Sequence, residues 1–132
     1  MPQPRIPKEV IAFVVRYLPS VEHLEVFMLI QRVPVRSWSS AEVAEELNIP
    51  KATANDVLER LASDNFLDIK ILNDVLYCFN PVTPALAQAA ARCVDSYRRE
   101  RIAMTKIVTA ATIRPMRDFA EAFRIKKTKN DG

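Results

Sequence analysis

The sequence predicts a mainly α-helical fold with one small β-hairpin, in a single compact domain of 132 residues. Apolar residues recur with helical spacing over most of the chain, and residues 85–112 contain neither Gly nor Pro. Only residues 66–79 alternate apolar and polar side chains around a short turn, the pattern of two antiparallel strands. A hydrophobic fraction of 49% is enough to form one buried core at this length.

Two helices are predicted before residue 34. Residues 1–19 hold the first, which begins after Pro7 and ends at Pro19 because proline does not continue a helix. The second begins after Ser20, a natural N-cap, and stops before Pro34. Their expected apolar faces are Ile11, Val14, Val15 and Leu18 in the first, and Val21, Leu24, Phe27, Met28 and Gln31 in the second.

Two short helices and the hairpin complete a segment over residues 20–80. Trp38 marks a short strand, and a helix over 41–47 follows the capping residues Ser39 and Ser40. Asn48 begins a tight turn, since Asn tolerates the left-handed conformation. A further helix spans 51–63, and the hairpin turns at residues 73–74.

This order of elements resembles a winged helix–turn–helix domain, in particular the MarR-like module of bacterial transcriptional regulators. The resemblance covers about residues 20–80 and is carried by residues 43–49, Ala54, 58–61 and 65–67. Many such regulators have a Gly where this chain has Asn65. The resemblance implies that helix 51–63 enters the major groove of DNA and that the protein dimerises through helices flanking the module.

Residues 81–125 are predicted to form one long helix over 85–112 and, after Arg114-Pro115, a short helix over 116–123 whose Phe119 and Phe123 dock on the body of the fold. Residues 126–132 form a basic tail. Near-heptad spacing along the long helix predicts an interface with a second copy, although the same seam is also able to pack on the first two helices. The dimer-interface candidates are Leu86, Cys93, Tyr97, Glu100, Met104 and Ile107.

Charge is distributed unevenly along the chain. Residues 1–40 carry a net charge of +2, residues 41–80 of −5, and residues 81–132 of +6. Phosphate neutralisation supplies much of the affinity of any protein for DNA, so the acidic segment is unfavourable where the resemblance places the DNA contact. Two interpretations of the basic C-terminal region are open. It supplies the positive charge that the acidic segment lacks for DNA binding, or it forms the hydrated outer face of the long helix.

The candidate DNA contacts are the exposed polar residues of helix 51–63, the basic residue of the wing and two arginines of the long helix. Thr53 and Asn55 have side chains suited to base edges, whereas Asp56 and Glu59 would face the polyanion. The full candidate set is Lys51, Thr53, Asn55, Arg60, Lys70, Arg98 and Arg99.

Enzyme, metal and cofactor chemistry are not expected. The single Gly, at position 132, excludes a glycine-rich phosphate loop, and the single histidine, His23, excludes a multi-histidine metal site and is expected to face solvent. Cys78 and Cys93 are expected to be small buried residues, although the sequence does not fix their redox state. No apolar run is long enough to span a membrane, and no secretion signal is evident, so a cytoplasmic protein is expected.

The leading hypothesis is therefore a DNA-binding transcriptional regulator that acts as a homodimer on double-stranded DNA. The alternative is a winged-helix module that contacts another protein and does not read DNA, because its recognition helix is acidic. A third hypothesis, a regulator that responds to a small molecule, requires a pocket lined by Trp38, Tyr97 and phenylalanines.

Overall fold

The computed structural model describes residues 6–110, and it confirms the mainly helical fold with a small antiparallel sheet. The elements run α1 (Lys8–Tyr17), α2 (Val21–Arg32), β1 (Ser37–Ser39), α3 (Ser40–Leu47), α4 (Lys51–Ser63), β2 (Leu67–Ile71), β3 (Val75–Phe79) and α5 (Pro84–Arg99). The chain is helical again over 101–110, which we call α6 as far as it is described. The helix predicted over 116–123 and the basic tail lie outside the described residues.

The first two helices pack their apolar faces into the core. Ser20 caps α2 as predicted, because its Oγ accepts the His23 backbone N–H at 3.2 Å. The buried face of α1 is rotated by about one position from the prediction, since Val10 and Phe13 are buried while Val15 is exposed. His23 is half-buried, with Ser20 Oγ 2.7 Å from its Nδ1, so the expectation of a solvent-facing histidine was wrong.

An aromatic cluster joins the helices to the sheet. Phe66, fully buried between α4 and β2, has its ring centroid 5.6 Å from Phe13, 5.1 Å from Tyr17 and 5.4 Å from Phe27. All three contacts are edge-to-face, a favourable arrangement for aromatic rings. The preceding residue, Asn65, has a left-handed backbone (φ 72°), which explains why glycine suits this position in the resembling regulators.

The three strands form one antiparallel sheet in the order β1-β3-β2. Trp38 on β1 pairs with Tyr77 on β3, and Ile69 on β2 pairs with the same Tyr77 from the other side. Tyr77 and Trp38 are buried, whereas the outer half of β2 is exposed. The sheet therefore has a free edge along β2, next to α4.

The single long helix predicted over 85–112 was wrong, because the chain leaves the helical conformation at Glu100 (φ −134°, ψ 57°). The Glu100 N–H closes α5 on the Ser96 carbonyl at 2.8 Å, and the Glu100 carbonyl accepts the Met104 N–H at 2.9 Å to begin α6. No Gly or Pro marks this break. Its effect is that Cys93 on α5 and Met104 on α6 are both buried in the same core, so tertiary packing overrides the local helical preference.

Both cysteines are free thiols. Cys93 is buried, and burial raises the pKa of its thiol to about 12. Cys78 is only half-buried, and its Sγ lies 3.1 Å from the Pro34 carbonyl oxygen. Within residues 6–110, no helix combines the length and apolar character needed to cross a membrane.

Candidate nucleic-acid interface

The helix–turn–helix is held by local hydrogen bonds at both ends of α3. Ser39 Oγ accepts the Glu42 backbone N–H at 3.1 Å, and Glu42 Oε1 accepts the Ser39 N–H at 2.9 Å, which forms a capping box. At the other end Asn48 is left-handed (φ 56°, ψ 50°), as predicted, and Ile49 donates its N–H to the Ala44 carbonyl at 3.0 Å. These bonds fix the direction in which α4 leaves the turn.

The first turn of α4 is exposed and uncapped. Pro50, the N-cap residue, offers no side-chain acceptor, and the first turn contains no acidic residue. Lys51 and Ala52 are exposed and Thr53 is half-buried, while Ala54 points into the core. The free backbone N–H groups and the positive end of the helix dipole therefore lie beside the Lys51 ammonium, an arrangement that favours a phosphate.

Asn55 is less available than the sequence suggested. Its Oδ1 accepts the Ser40 hydroxyl at 2.9 Å, and its Nδ2 donates to Glu59 Oε2 at 3.2 Å. Ser40 is itself buried, so Asn55 ties α4 to the start of α3. We infer that Asn55 positions the helix and has one amide hydrogen left for a ligand.

Arg60 lies on the last turn of α4, about 13 Å along the helix from Lys51 at 1.5 Å per residue. Its Nε donates to Asp64 Oδ2 at 3.1 Å, and it is close enough to His23 to affect that residue's pKa. The guanidinium is thus already paired and at the end of α4 remote from the turn. It is a weaker candidate for a phosphate contact than Lys51.

Lys70 is the basic residue of the wing. It lies on β2 opposite Leu76 and is exposed, on the face of the sheet opposite Ile69 and Ile71. Neither Lys70 nor Lys51 has an ion-pair partner among the described residues. These two ammonium groups are therefore free to contact phosphate.

Arg98 and Arg99 end α5, and the structure places them among groups of the helical body. Arg99 pairs with Asp95 at 2.8 Å, with both side chains exposed. Arg98 lines a cavity of about 300 Å³ together with Arg32, Arg101 and Tyr97. The described walls of this cavity come from α2, α5, α6 and the end of α3, so Arg98 does not share a surface with α4 there. Trp38, expected in a small-molecule pocket with Tyr97, is not part of this lining.

Sequence reasoning missed Arg36. Its guanidinium lies over the Trp38 ring, 3.6 Å from the centroid, and its Nη2 is 3.5 Å from Glu42 Oε2. Arg36 is exposed beside the capping box of α3, so it adds one positive charge next to the module. The sequence signal for this contact was the Arg-x-Trp spacing at the start of a short strand, because residues two apart in an extended segment lie on the same face.

The surface of the module remains acidic. Helices α3 and α4 contain five carboxylates and only two basic residues. The carboxylates are Glu42, Glu45, Glu46, Asp56 and Glu59, all of them exposed. Of the four cations within residues 36–80, Arg36 and Arg60 are paired with Glu42 and Asp64, whereas Lys51 and Lys70 have no ion-pair partner among the described residues. The exposed carboxylates around them repel phosphate.

Two of the six dimer-interface candidates were wrong. Cys93 and Met104 are fully buried inside the chain, so neither is available to a second copy in this conformation. The remaining candidates, Leu86, Tyr97, Glu100 and Ile107, are half-buried. Helix α5 packs against α1 of the same chain, so part of the seam is covered within the chain, and the interface with a second copy stays a prediction.

No family model matches the chain, and no curated protein matches it. Similar solved structures include the heme sensor protein PefR from Streptococcus agalactiae in complex with heme, 16% identical, with 85% of this chain and 82% of PefR covered and a TM-score of 0.50. PefR with heme and carbon monoxide gives 19% identity, coverage of 88% and 82%, and the same TM-score of 0.50. The MarR family protein Rv2887 from Mycobacterium tuberculosis is 16% identical over 94% of this chain and 83% of Rv2887, at a TM-score of 0.46. At these identities the likeness to PefR concerns the fold alone, and the order of the helices with the three-stranded antiparallel sheet confirms the winged-helix architecture predicted from the sequence.

Proposed function

We propose that the chain is a DNA-binding transcriptional regulator, a role that places it in the cytoplasm with the DNA. One observation carries the proposal. The first turn of α4 is exposed, uncapped and free of acidic residues, and its Lys51 has no ion-pair partner among the described residues. In winged-helix proteins this is the turn that enters the major groove.

The contact we propose is small. Lys51 and the free N–H groups of the first turn bind phosphate, the Thr53 hydroxyl contacts a base edge, and Lys70 of the wing contacts the flanking backbone. Arg36 is positioned for a further phosphate if its bond to Glu42, 3.5 Å in length, opens. Because few phosphates are neutralised and carboxylates lie nearby, DNA binding by a single module is weak, and its salt dependence is shallow compared with that of proteins that make many phosphate contacts.

Salt-dependent binding tests this proposal. Fluorescence anisotropy with a labelled mixed-sequence duplex should detect binding by the full chain at about 50 mM salt and a fall in affinity of about tenfold or more at about 200 mM. Lys51→Glu/Lys70→Glu should abolish binding at the lower salt. The matched control is Lys8→Glu, which removes an exposed lysine of α1 on a different part of the fold. Absence of binding by the unmodified chain, or equal loss in the control, would contradict the proposal.

We also propose that the protein binds DNA as a homodimer, since two modules double the number of phosphate contacts. With Cys93 and Met104 buried, support for an interface comes from the outward side of α6, where Ile102 is 75% exposed. Half-buried Tyr97 and Ile107 flank it in sequence. Light scattering of the full chain should give a dimer mass that Ile102→Asp reduces to a monomer, whereas the equally polar change Val35→Asp, at a 90% exposed site on the loop before β1, leaves the dimer intact. A monomeric unmodified chain would contradict this proposal.

A further inference from the structure

A groove of about 650 Å³ lies between α4 and the wing, on the side of α4 away from its first turn. Its walls are the helix residues Asn55, Glu59, Ala62 and Ser63, and its floor is the inner face of the hairpin, Leu67, Ile69, Ile71, Val75 and Tyr77. Register pairs Ile69 with Tyr77 and Ile71 with Val75, so these side chains share one face of the sheet. The floor of the groove is therefore apolar.

This apolar floor is open to solvent. Ile69 is 53% exposed, Ile71 75% and Val75 38%, and the adjoining Leu72 is 67% exposed. Scattered exposed apolar residues are normal, but four neighbours on one hairpin form a patch, which is characteristic of a binding surface. Phosphate contact requires basic or polar side chains at these positions, so DNA binding does not account for them.

The edge of the groove is also a strand edge that no other described strand pairs with. The Phe66 carbonyl accepts the Asn80 N–H at 2.8 Å, and the Leu72 N–H donates to the Asp74 carbonyl at 3.0 Å. Because hydrogen-bonded pairs alternate along an antiparallel ladder, the even-numbered residues of β2 are the ones whose backbone groups bond to β3. The backbone groups of Leu67, Ile69 and Ile71 then point away from β3, to the open side. Such an edge is able to accept a further strand.

The charge around the groove is negative. Glu59 lies on its helix wall, and both Glu59 and Asp74 act on the Tyr77 hydroxyl, whose pKa is raised first by burial and then by these two carboxylates. Among the described residues that line the groove, none is Lys or Arg. Lys70 belongs to the other face of β2.

We propose that this groove binds an extended segment of another protein whose side chains on one face are apolar, with a Lys or Arg at one end of that same face. The segment adds to the free edge of β2, its apolar side chains cover Ile69, Ile71 and Val75, and its cationic side chain, on the same face, lies beside Glu59. Main-chain hydrogen bonds supply affinity in this mode of recognition, and the alternating pockets supply specificity.

Two other occupants fit the same surface less well. A nucleic acid would place phosphates against Glu59 and Asp74 with no lining cation to offset them. A second copy of this chain that met the groove face to face would bring the same carboxylates together, and like charges across an interface are unfavourable. Charge complementarity thus selects a cationic, apolar protein segment.

The test is a direct binding measurement in the absence of DNA, so its outcome is independent of the DNA-binding proposal. The probe is a fluorescein-labelled synthetic peptide of about nine residues, the length of an average strand with its flanks, in which Val or Ile alternates with Ser and one apolar position near an end is replaced by Lys. Titration with the full chain should give saturable binding. Ile69→Ser/Ile71→Ser should weaken it about tenfold or more, a loss of about 1.4 kcal/mol, and Glu59→Lys should weaken it as well.

The chain offers a matched control for the apolar change. Val35 is an apolar residue that is 90% exposed on the loop before β1, away from the groove, so Val35→Ser should leave peptide binding unchanged. Far-UV circular dichroism checks that the Ser variants keep the fold. The proposal is overturned if the peptide does not bind, or if a peptide with Glu in place of Lys binds equally well. It is also overturned if the unmodified chain self-associates through the groove, seen as a mass increase that Ile71→Ser removes.

Discussion

The two sides of α4 differ in chemistry although they belong to one helix of 13 residues. The first turn is polar, exposed and cationic, with Lys51 unpaired among the described residues and the helix dipole directed outward. The side that faces the wing is apolar and acidic, with Glu59 above exposed Ile69 and Ile71. The first side suits a polyanion, and the second suits a cationic chain.

This difference shows that the net charge of a module is a poor guide to what it binds. The segment 41–80 carries −5, yet Lys51 and Lys70, which have no ion-pair partner among the described residues, lie on α4 and the wing. Five of its eight carboxylates lie on α3 and α4, and two more, Asp68 and Asp74, lie on the hairpin. A single winged helix can therefore present one surface for a polyanion and one for a cationic chain, provided that the aromatic cluster around Phe66 holds α4 and the wing in fixed positions.

The largest effect is expected from disrupting the aromatic cluster around Phe66. Phe66→Ala deletes a fully buried ring that contacts Phe13, Tyr17 and Phe27, and it should lower the free energy of unfolding by about 3–5 kcal/mol. DNA binding at the first turn of α4 and peptide binding in the groove should be lost together. Urea denaturation followed by circular dichroism measures the change, with the exposed Ile71→Ala as a control that should cost less than about 1 kcal/mol. If an unfolded Phe66→Ala chain still bound DNA or the peptide, that binding would not depend on the fold.

A smaller effect is expected at the turn that directs α4. Asn48→Val should destabilise the protein by about 1–2 kcal/mol, because a β-branched residue is disfavoured at φ 56°. Asn48→Gly should be nearly neutral, since glycine adopts this conformation freely. If Val and Gly have equal stability at this position in urea denaturation, the left-handed turn does not determine how α4 is held.

Two charge substitutions on α4 that lie outside the groove should change DNA affinity in opposite directions. Asp56 is exposed on α4 and does not line the groove, so Asp56→Lys should raise duplex affinity and steepen the salt slope by about 1 for each added phosphate contact. Lys51→Glu should lower both quantities. Peptide binding should be the same in the two variants, and a change in it would show that the two surfaces are not separate.

The smallest effect is a pH dependence from His23, which lies near the end of α4. Burial, and then Arg60, lower the pKa of His23 below its usual value of 6.5. The folded state therefore disfavours the protonated ring, so this contribution to stability is fully present above pH 6.5 and is lost as the pH falls through the lowered pKa. His23→Gln should reduce the fall in urea midpoint between pH 7.5 and pH 5.5. An identical pH profile in the variant would exclude His23 as its source.

The fold was largely predictable because local signals were strong. Ser20, Ser39 or Ser40, and Asn48 predicted the helix ends, and the alternation over 66–79 predicted the hairpin. The break at Glu100 was not predictable, because no helix-breaking residue is present and the reason is the burial of Cys93 and Met104 in one core. Periodicity alone does not tell whether a seam is covered by the same chain or by a second copy.

The candidate site was predictable in part. Lys51, Thr53 and Lys70 could be named as candidates because the order of elements identifies the recognition helix and the wing, and their contact with DNA stays a prediction. The pairing of Arg60 with Asp64 and the hydrogen bonds of Asn55 depend on rotamers that sequence does not determine. Arg36 was missed because its importance comes from packing on Trp38, a contact between neighbours on one side of a strand.

The central claim is that DNA meets the first turn of α4 and not the groove behind it. Nuclear magnetic resonance titration of the full chain with a mixed-sequence duplex tests it directly. The account predicts that the amide signals of residues 51–53 and of Lys70 shift, while the methyl signals of Ile69 and Ile71 stay in place. Shifts at Ile69 and Ile71 with unchanged signals at residues 51–53 would contradict it.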